Sequence, residues 1–265
     1  MFAGGVPVER ASAPPSPRQS PGHERSLTNP LASLRVLLLG YVVLVPVLLL
    51  LGYLLTHVLD NSVGRWDAHV NQWFVRQRTG AWNTITGAFT FGLNTVPVIA
   101  VAVVVVVLLV LRHHVREGLV LVFALSLEIT VFLSVTFIVA RPRPQVARLN
   151  ATPSTSSFPS GHTAAALVLY VGIAVIVHKC TSNRLARVLA DIVAVIAVVG
   201  VALSRVYRGM HHPTDVIAGA AYGAACIWFA LVAVRAGSPD PTAEDDRGRS
   251  PHERHLDFRD PQVIA

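Results

Sequence analysis

Six long apolar blocks, each separated by a short polar stretch, limit what this chain can become. They run over about 34–59, 88–111, 118–140, 163–180, 187–204 and 214–235. At about 1.5 Å per residue, a block of some twenty residues spans the hydrocarbon of a bilayer as a helix. The five consecutive valines from Val103 to Val107 would suggest a strand in water. In lipid an open strand edge has no hydrogen-bonding partner, so a helix is expected there too. Composition agrees: 52% of the 265 residues are hydrophobic and 14% are charged, against about 25% charged in soluble domains. The fold expected is all-α, a polytopic membrane bundle of six transmembrane helices.

Residues 60–86 interrupt the pattern between spans one and two. Val70, Trp73 and Phe74 share a helical face, with Asp67, Gln72, Arg76 and Arg78 elsewhere. Trp66, Trp73 and Trp82 suit a headgroup layer, so a short interfacial helix is expected. Residues 1–30 and 237–265 are rich in polar residues, Pro and charge, and read as disordered tails flanking a membrane domain over 31–236. The N-terminal stretch lacks the short apolar core and small-residue cleavage site of a secretory signal. The only cysteines, Cys180 and Cys226, lie in or at the end of apolar blocks, so neither a disulfide framework nor a Cys-based metal site is expected.

The net charge of +7 is not gathered into a basic stripe interleaved with aromatics, so no nucleic-acid partner is expected. Six spans place both termini on one side of the membrane. The positive-inside rule favours that side being cytoplasmic: Arg112, Arg116, Lys179, Arg184 and Arg187 lie in the short loops facing it, with more arginines near both ends. The opposite face also carries many arginines, a surplus expected if some of them hold an anion.

Three segments share that opposite face. The first holds Arg141-Pro142-Arg143-Pro144. The second reads Pro159-Ser160-Gly161-His162, just before span four. The third runs from Ser204-Arg205 to His211-His212-Pro213-Thr214-Asp215. Rare Arg and His residues converging at one membrane depth are the main functional signal. Arg143 and Arg205 offer planar forks that match phosphate oxygens. Ser160 and the Gly161 amide sit at a helix start, which suits an anion. Asp215, four residues after His211, can hold one imidazole nitrogen as N–H and leave the other free to attack. His162 can protonate a leaving oxygen. A zinc site is a competing use of His162, His211, His212 and Asp215, but the neighbouring arginines argue against a cation. Inside the spans, Glu128 is expected to hydrogen-bond between helices, or alternatively to line a proton or substrate path. Asp191 is expected to pair with Arg187.

These residues resemble the type-2 phosphatidic acid phosphatase superfamily, which includes membrane lipid phosphatases, glucose-6-phosphatase, bacterial class A acid phosphatases and vanadium haloperoxidases. Its signature is Lys-x6-Arg-Pro, Pro-Ser-Gly-His and Ser-Arg-x5-His-x3-Asp. The second and third parts stand complete as Pro159–His162 and as Ser204, Arg205, His211 and Asp215. The first stands as Arg143-Pro144, with Thr136 where the family has Lys. The resemblance implies a metal-independent, cofactor-free lipid phosphatase or diphosphatase in the cell membrane, with its active site extracytoplasmic. His211 would form a phosphohistidine, oriented by Asp215. His162 would act as acid and then base, and Arg143, Ser160, Gly161 and Arg205 would bind phosphate. Polyprenyl diphosphates such as undecaprenyl diphosphate, and phosphatidic-acid-type lipids, are the implied substrates. Thr136 supports an alternative: a headgroup-binding transporter or scaffold of the same fold that cleaves nothing. Arg141 is a candidate to replace the missing Lys charge. Sequence alone leaves the oligomeric state open.

Overall fold

A computed structural model describes residues 29–151 and 155–238. The expected tails therefore lie almost wholly outside the described residues. The regular elements among the described residues are all helical: α1 (Pro30–Tyr53), α2 (Arg65–Arg76), α3 (Gly80–Gly92), α4 (Thr95–Leu111), α5 (Val115–Val139), α6 (Gly161–Cys180), α7 (Arg184–Tyr207) and α8 (Pro213–Ala236). Two π-helical turns, Leu54–Val58 and Asp60–Gly64, join α1 to α2.

Five helices are long and apolar enough to cross a bilayer alone, and the pair α3 and α4 makes a sixth span bent by 52°. The second span is thus longer and more broken than the sequence suggests. It begins at Gly80, inside the segment expected to lie on the surface, and breaks at Leu93. The local cause is Gly92-Leu93-Asn94, with Asn94 as the residue before α4 and Pro97 in its first turn. Gly weakens a helix, and Asn and Pro favour a new start.

The helix α2 inverts its expected orientation. Its polar residues Asp67 and Asn71, one turn apart, are buried, while Trp66 and Trp73 are about half exposed. The tryptophans remain available to a headgroup layer, but a carboxylate points into the protein.

Both ends of the described chain meet. The Asn29 amide donates to the Gly237 carbonyl at 3.1 Å, and the Ser33 hydroxyl to the Ala233 carbonyl at 2.8 Å. Both termini of the bundle therefore share one face, as an even number of crossings requires. The main core lies among α1, α5, α6 and α8, with Val131, Val135, Phe158, Val168, Cys226 and Ala230 fully enclosed. Glu128 in α5 accepts a 2.8 Å hydrogen bond from Tyr222 in α8, as an interhelical polar contact. Asp191 departs from expectation: it pairs with His178 at 3.0 Å, while Arg187 donates to the carbonyls of Thr181 and His178. Those carbonyls end α6 and need donors.

Glycine lets α8 approach the start of α6. A Cβ on Gly219 would stand 2.5 Å from the Ser160 carbonyl oxygen, which as backbone cannot swing aside. Gly219→Ala should therefore separate the two helices and cost about 1–3 kcal/mol, read as earlier thermal unfolding in detergent.

Candidate functional site

The three polar loops close on one another at a single end of the bundle. The Ser157 amide donates to the Arg141 carbonyl, the Ser160 amide to the Asp215 carbonyl, and the Leu149 amide to the Arg208 carbonyl. Backbone specials mark the turns. Ala140 ends α5 in the left-handed region at φ 45°, and Gly209 takes φ 71° between Arg205 and His211. A left-handed alanine is strained by roughly 1 kcal/mol or more; it turns the chain straight into Arg141.

His211 is 4% exposed. Its Nδ1 lies 2.7 Å from the Ser157 carbonyl. A carbonyl can only accept, so Nδ1 carries the proton and Nε2 of the neutral ring holds a free lone pair. Sequence assigned that orienting bond to Asp215. Instead the Asp215 carboxylate stands 3.8 Å from Nδ1, in electrostatic contact only. It accepts from Arg141 at 2.5 Å, from the Ser157 hydroxyl at 2.9 Å and from the His212 amide at 2.8 Å. Asp215 thus fixes the loop that carries the orienting carbonyl and begins α8 in the same contact.

Burial lowers the His211 pKa from 6.5 to about 4, assisted by Arg205 and Arg143 and opposed by Asp215. The ring is neutral, hence nucleophilic, above about pH 4. The linked stability has a definite sign: between pH 4 and 6.5 the unfolded ring binds a proton that the folded ring refuses. Stability from this residue is full above pH 6.5 and falls as pH drops toward 4. Denaturation midpoints measured across that window should show the decline, and His211→Gln should flatten it.

His162 stands in the first turn of α6, within electrostatic reach of Arg205, His211 and Arg143. Its Nε2 pairs with Asn94 Oδ1 at 2.8 Å, so the break between α3 and α4 sets the ring. Sequence reasoning missed Asn94. The signal available was the helix-restart pattern Gly92-Leu93-Asn94 with Pro97.

Ser160 is completely buried. Its hydroxyl pairs with Thr163 Oγ1 at 3.0 Å and makes no capping bond to the amides of α6. The first turn of α6 is left without a side-chain cap, a state that suits an anion. Gly161 packs under Phe132, whose ring would lie 2.8 Å from an added Cβ.

The two expected phosphate arginines differ. Arg143 donates to the Met210 carbonyl at 2.6 Å and to the Ser156 carbonyl at 3.3 Å, and its Nε has no partner among the described residues. Burial lowers its pKa, an effect Asp215 opposes. Arg205 is 3% exposed, and its buried Nε has no hydrogen-bond partner among the described residues. A buried guanidinium without an acceptor is costly, and an anion is the group that relieves it.

Arg141 does not replace the missing Lys. It donates to Asp67 at 2.8 Å, to Asp215 at 2.5 Å and to the Thr214 hydroxyl at 2.8 Å. Asp67 also accepts from the Thr214 amide and hydroxyl. Its charge is consumed inside the protein. Thr136 is buried, and its hydroxyl has no partner among the described residues. Arg208 is likewise occupied, bonding Asn150, Leu149 and Asn83.

An apolar groove of about 350 Å³ leads away from His162 between α4, α5 and α6. Val98, Ile99, Ala102, Leu125, Ile129, Phe132 and Ala165 line it, with Glu128 at its wall.

No curated protein sequence matches the chain. The fold matches the crystal structure of a transmembrane PAP2-type phosphatidylglycerolphosphate phosphatase from Bacillus subtilis, at 22% identity and a TM-score of 0.57, over 82% of this chain and 98% of that one. The family model described as the PAP2 superfamily matches residues 117–238, the stretch holding all three loops. Residues 117–238 of this multi-pass membrane protein therefore belong to the PAP2 superfamily.

Proposed function

We propose that the protein is a lipid phosphate phosphatase or diphosphatase that works through a phosphohistidine. The observation that carries this reading is the pairing of an unprotonated His211 Nε2 with a buried Arg205, its Nε without an acceptor among the described residues, beside His162. A phosphate drawn to Arg205 and Arg143 sits where Nε2 can attack in line. A nitrogen–phosphorus bond forms as the phosphorus–oxygen bond to the leaving group breaks, and protonated His162 gives its proton to the departing oxygen. His162 then takes a proton from water, whose oxygen attacks phosphorus. The nitrogen–phosphorus bond breaks, inorganic phosphate leaves and His162 is protonated again. Guanidinium charge and the first amides of α6 stabilise the equatorial oxygens. No step calls for a metal, and a cage of guanidinium groups repels one. Because kcat/KM reports the free enzyme, its acid limb should fall near pH 4, where His211 protonates.

The groove supports a lipid substrate. It begins at His162 and is walled by side chains of three spans, so an acyl or prenyl tail can lie in it while the headgroup reaches Arg205. Ala165→Leu would fill it one helical turn from His162. We expect kcat/KM for a long-chain lipid phosphate to fall roughly tenfold, the order of a methylene-scale steric change. Turnover of a short, water-soluble phosphate ester should be nearly unchanged. Equal losses on both would refute the groove as the tail site. By the same reading the loops face the extracytoplasmic side and both termini are cytoplasmic.

The uncharged Thr136 favours a second reading, a headgroup binder that does not turn over. Phosphate release from a panel of prenyl diphosphates, phosphatidic acid and phosphatidylglycerol phosphate, with chelator present, separates the two. Catalysis requires release by wild type and none by His211→Ala. Thr136→Lys should raise the rate if the missing ammonium limits it. Lipid binding with no release from any substrate would favour the binder.

A further inference from the structure

The phosphate loops use one end of the bundle. A separate group of metal-ligating side chains meets at the other. His114 lies just before α5, Glu117 in its first turn, and Cys180 is the last residue of α6. The α5 helix has 25 residues, so it carries this group roughly 38 Å from Arg141. One ligand atom from each residue lies within 4.8 Å of the other two, and all three residues are partly buried.

We propose that His114, Glu117 and Cys180 form a binding site for a zinc-class divalent cation at the end of the bundle opposite the phosphate loops. Donor chemistry selects the ion. An imidazole, a carboxylate and a thiolate suit zinc and its borderline-soft neighbours, whereas calcium and magnesium want oxygen alone. Bonds of about 2.0–2.3 Å to a tetrahedral ion put ligand atoms on the order of 3.5 Å apart. His114 Nδ1 and Glu117 Oε2 are already 3.8 Å apart. Side-chain rotation of about an ångström closes the rest, and water completes the fourth position, as at open zinc sites.

The backbone beneath these ligands is held. The His114 amide donates to the Leu109 carbonyl, and the His114 carbonyl accepts from the Gly118 amide. Cys180 packs against the cluster of Leu121, Leu169 and Ile176. An i,i+3 ion pair between His114 and Glu117 would explain two of the residues without a metal. It gives no reason for the thiol from a helix 63 positions away to join them. Binding would displace the thiol proton, leaving a metal–sulfur bond, and would tie the end of α6 to the start of α5.

The test uses the full chain, purified in detergent without a polyhistidine tag, stripped with chelator and titrated with zinc and with cobalt. We expect one saturable equivalent of zinc per chain and, with cobalt, a thiolate-to-metal charge-transfer band. Cys180→Ala should remove the band and weaken zinc binding tenfold or more, and His114→Ala should weaken it similarly. Absence of saturable zinc binding, a cobalt complex of the wild-type protein without the thiolate band, or an unchanged site in Cys180→Ala would each overturn the proposal. Because the wild-type cobalt spectrum needs no variant, a misfolded mutant cannot obscure the result. Phosphate release plays no part in the readout.

Discussion

Replacing His211 with alanine should reduce phosphate release by at least about a thousandfold, with little change in lipid binding. The size follows from the role. Arg205, Arg143 and the start of α6 remain to bind the anion, but the ring nitrogen that the Ser157 carbonyl holds ready is gone. His212 is the nearest substitute in sequence, yet its Nε2 faces the Pro142 carbonyl at 3.2 Å. Initial rates and equilibrium binding of the same lipid, measured on one preparation, separate lost chemistry from lost affinity. A variant that keeps near wild-type turnover would remove His211 from the mechanism.

The second large effect is expected away from phosphate. Arg141 stands between two fully buried carboxylates, Asp67 and Asp215. Arg141→Met would keep much of the side-chain volume and leave both acids without a counter-charge. Breaking one buried ion pair by removing a partner costs about 3–5 kcal/mol, and here one residue serves two pairs. The variant should unfold at much lower temperature and, where it folds, should be inactive, because Asp215 also anchors the Ser157 hydroxyl and the His212 amide. Asp67→Asn should cost less, since the amide oxygen can still accept from Thr214. Thermal unfolding of the three proteins in one detergent checks the order: wild type, then Asp67→Asn, then Arg141→Met. Equal stability of all three would show that the network does not hold the loops.

This network also marks where sequence reading stopped. The spans were legible because lipid demands long apolar runs, and a run is a local property. Ser160, His162, Arg205 and His211 were legible because their loops carry rare polar residues at one membrane depth. Asp67 was not. Its place on α2 suggested a solvated carboxylate beside an apolar face, and only the pairing with Arg141, 74 positions on, buries it. The orienting partner of His211 was missed for a related reason. Any residue can supply a backbone carbonyl, so Ser157 left no mark, while Asp215, at a suggestive spacing, looked like the partner. Asn94 had a local signal, the Gly-Leu-Asn restart, but it was hidden inside a block long enough to read as one straight span. The position of Thr136 shows the reverse limit. The missing Lys was plain in the sequence, and only the hydrogen bonds of Arg141 show that its neighbour's charge is committed elsewhere.

The central claim is that one tetrahedral anion fits among His211, His162, Arg143 and Arg205. A crystal structure with orthovanadate, which takes the five-coordinate geometry of phosphoryl transfer, tests it most directly. The account predicts vanadium bonded to Nε2 of His211, equatorial oxygens on the Arg205 guanidinium, and His162 facing the apical oxygen opposite. Vanadate bound elsewhere, or His211 unligated with the four side chains apart, would contradict it.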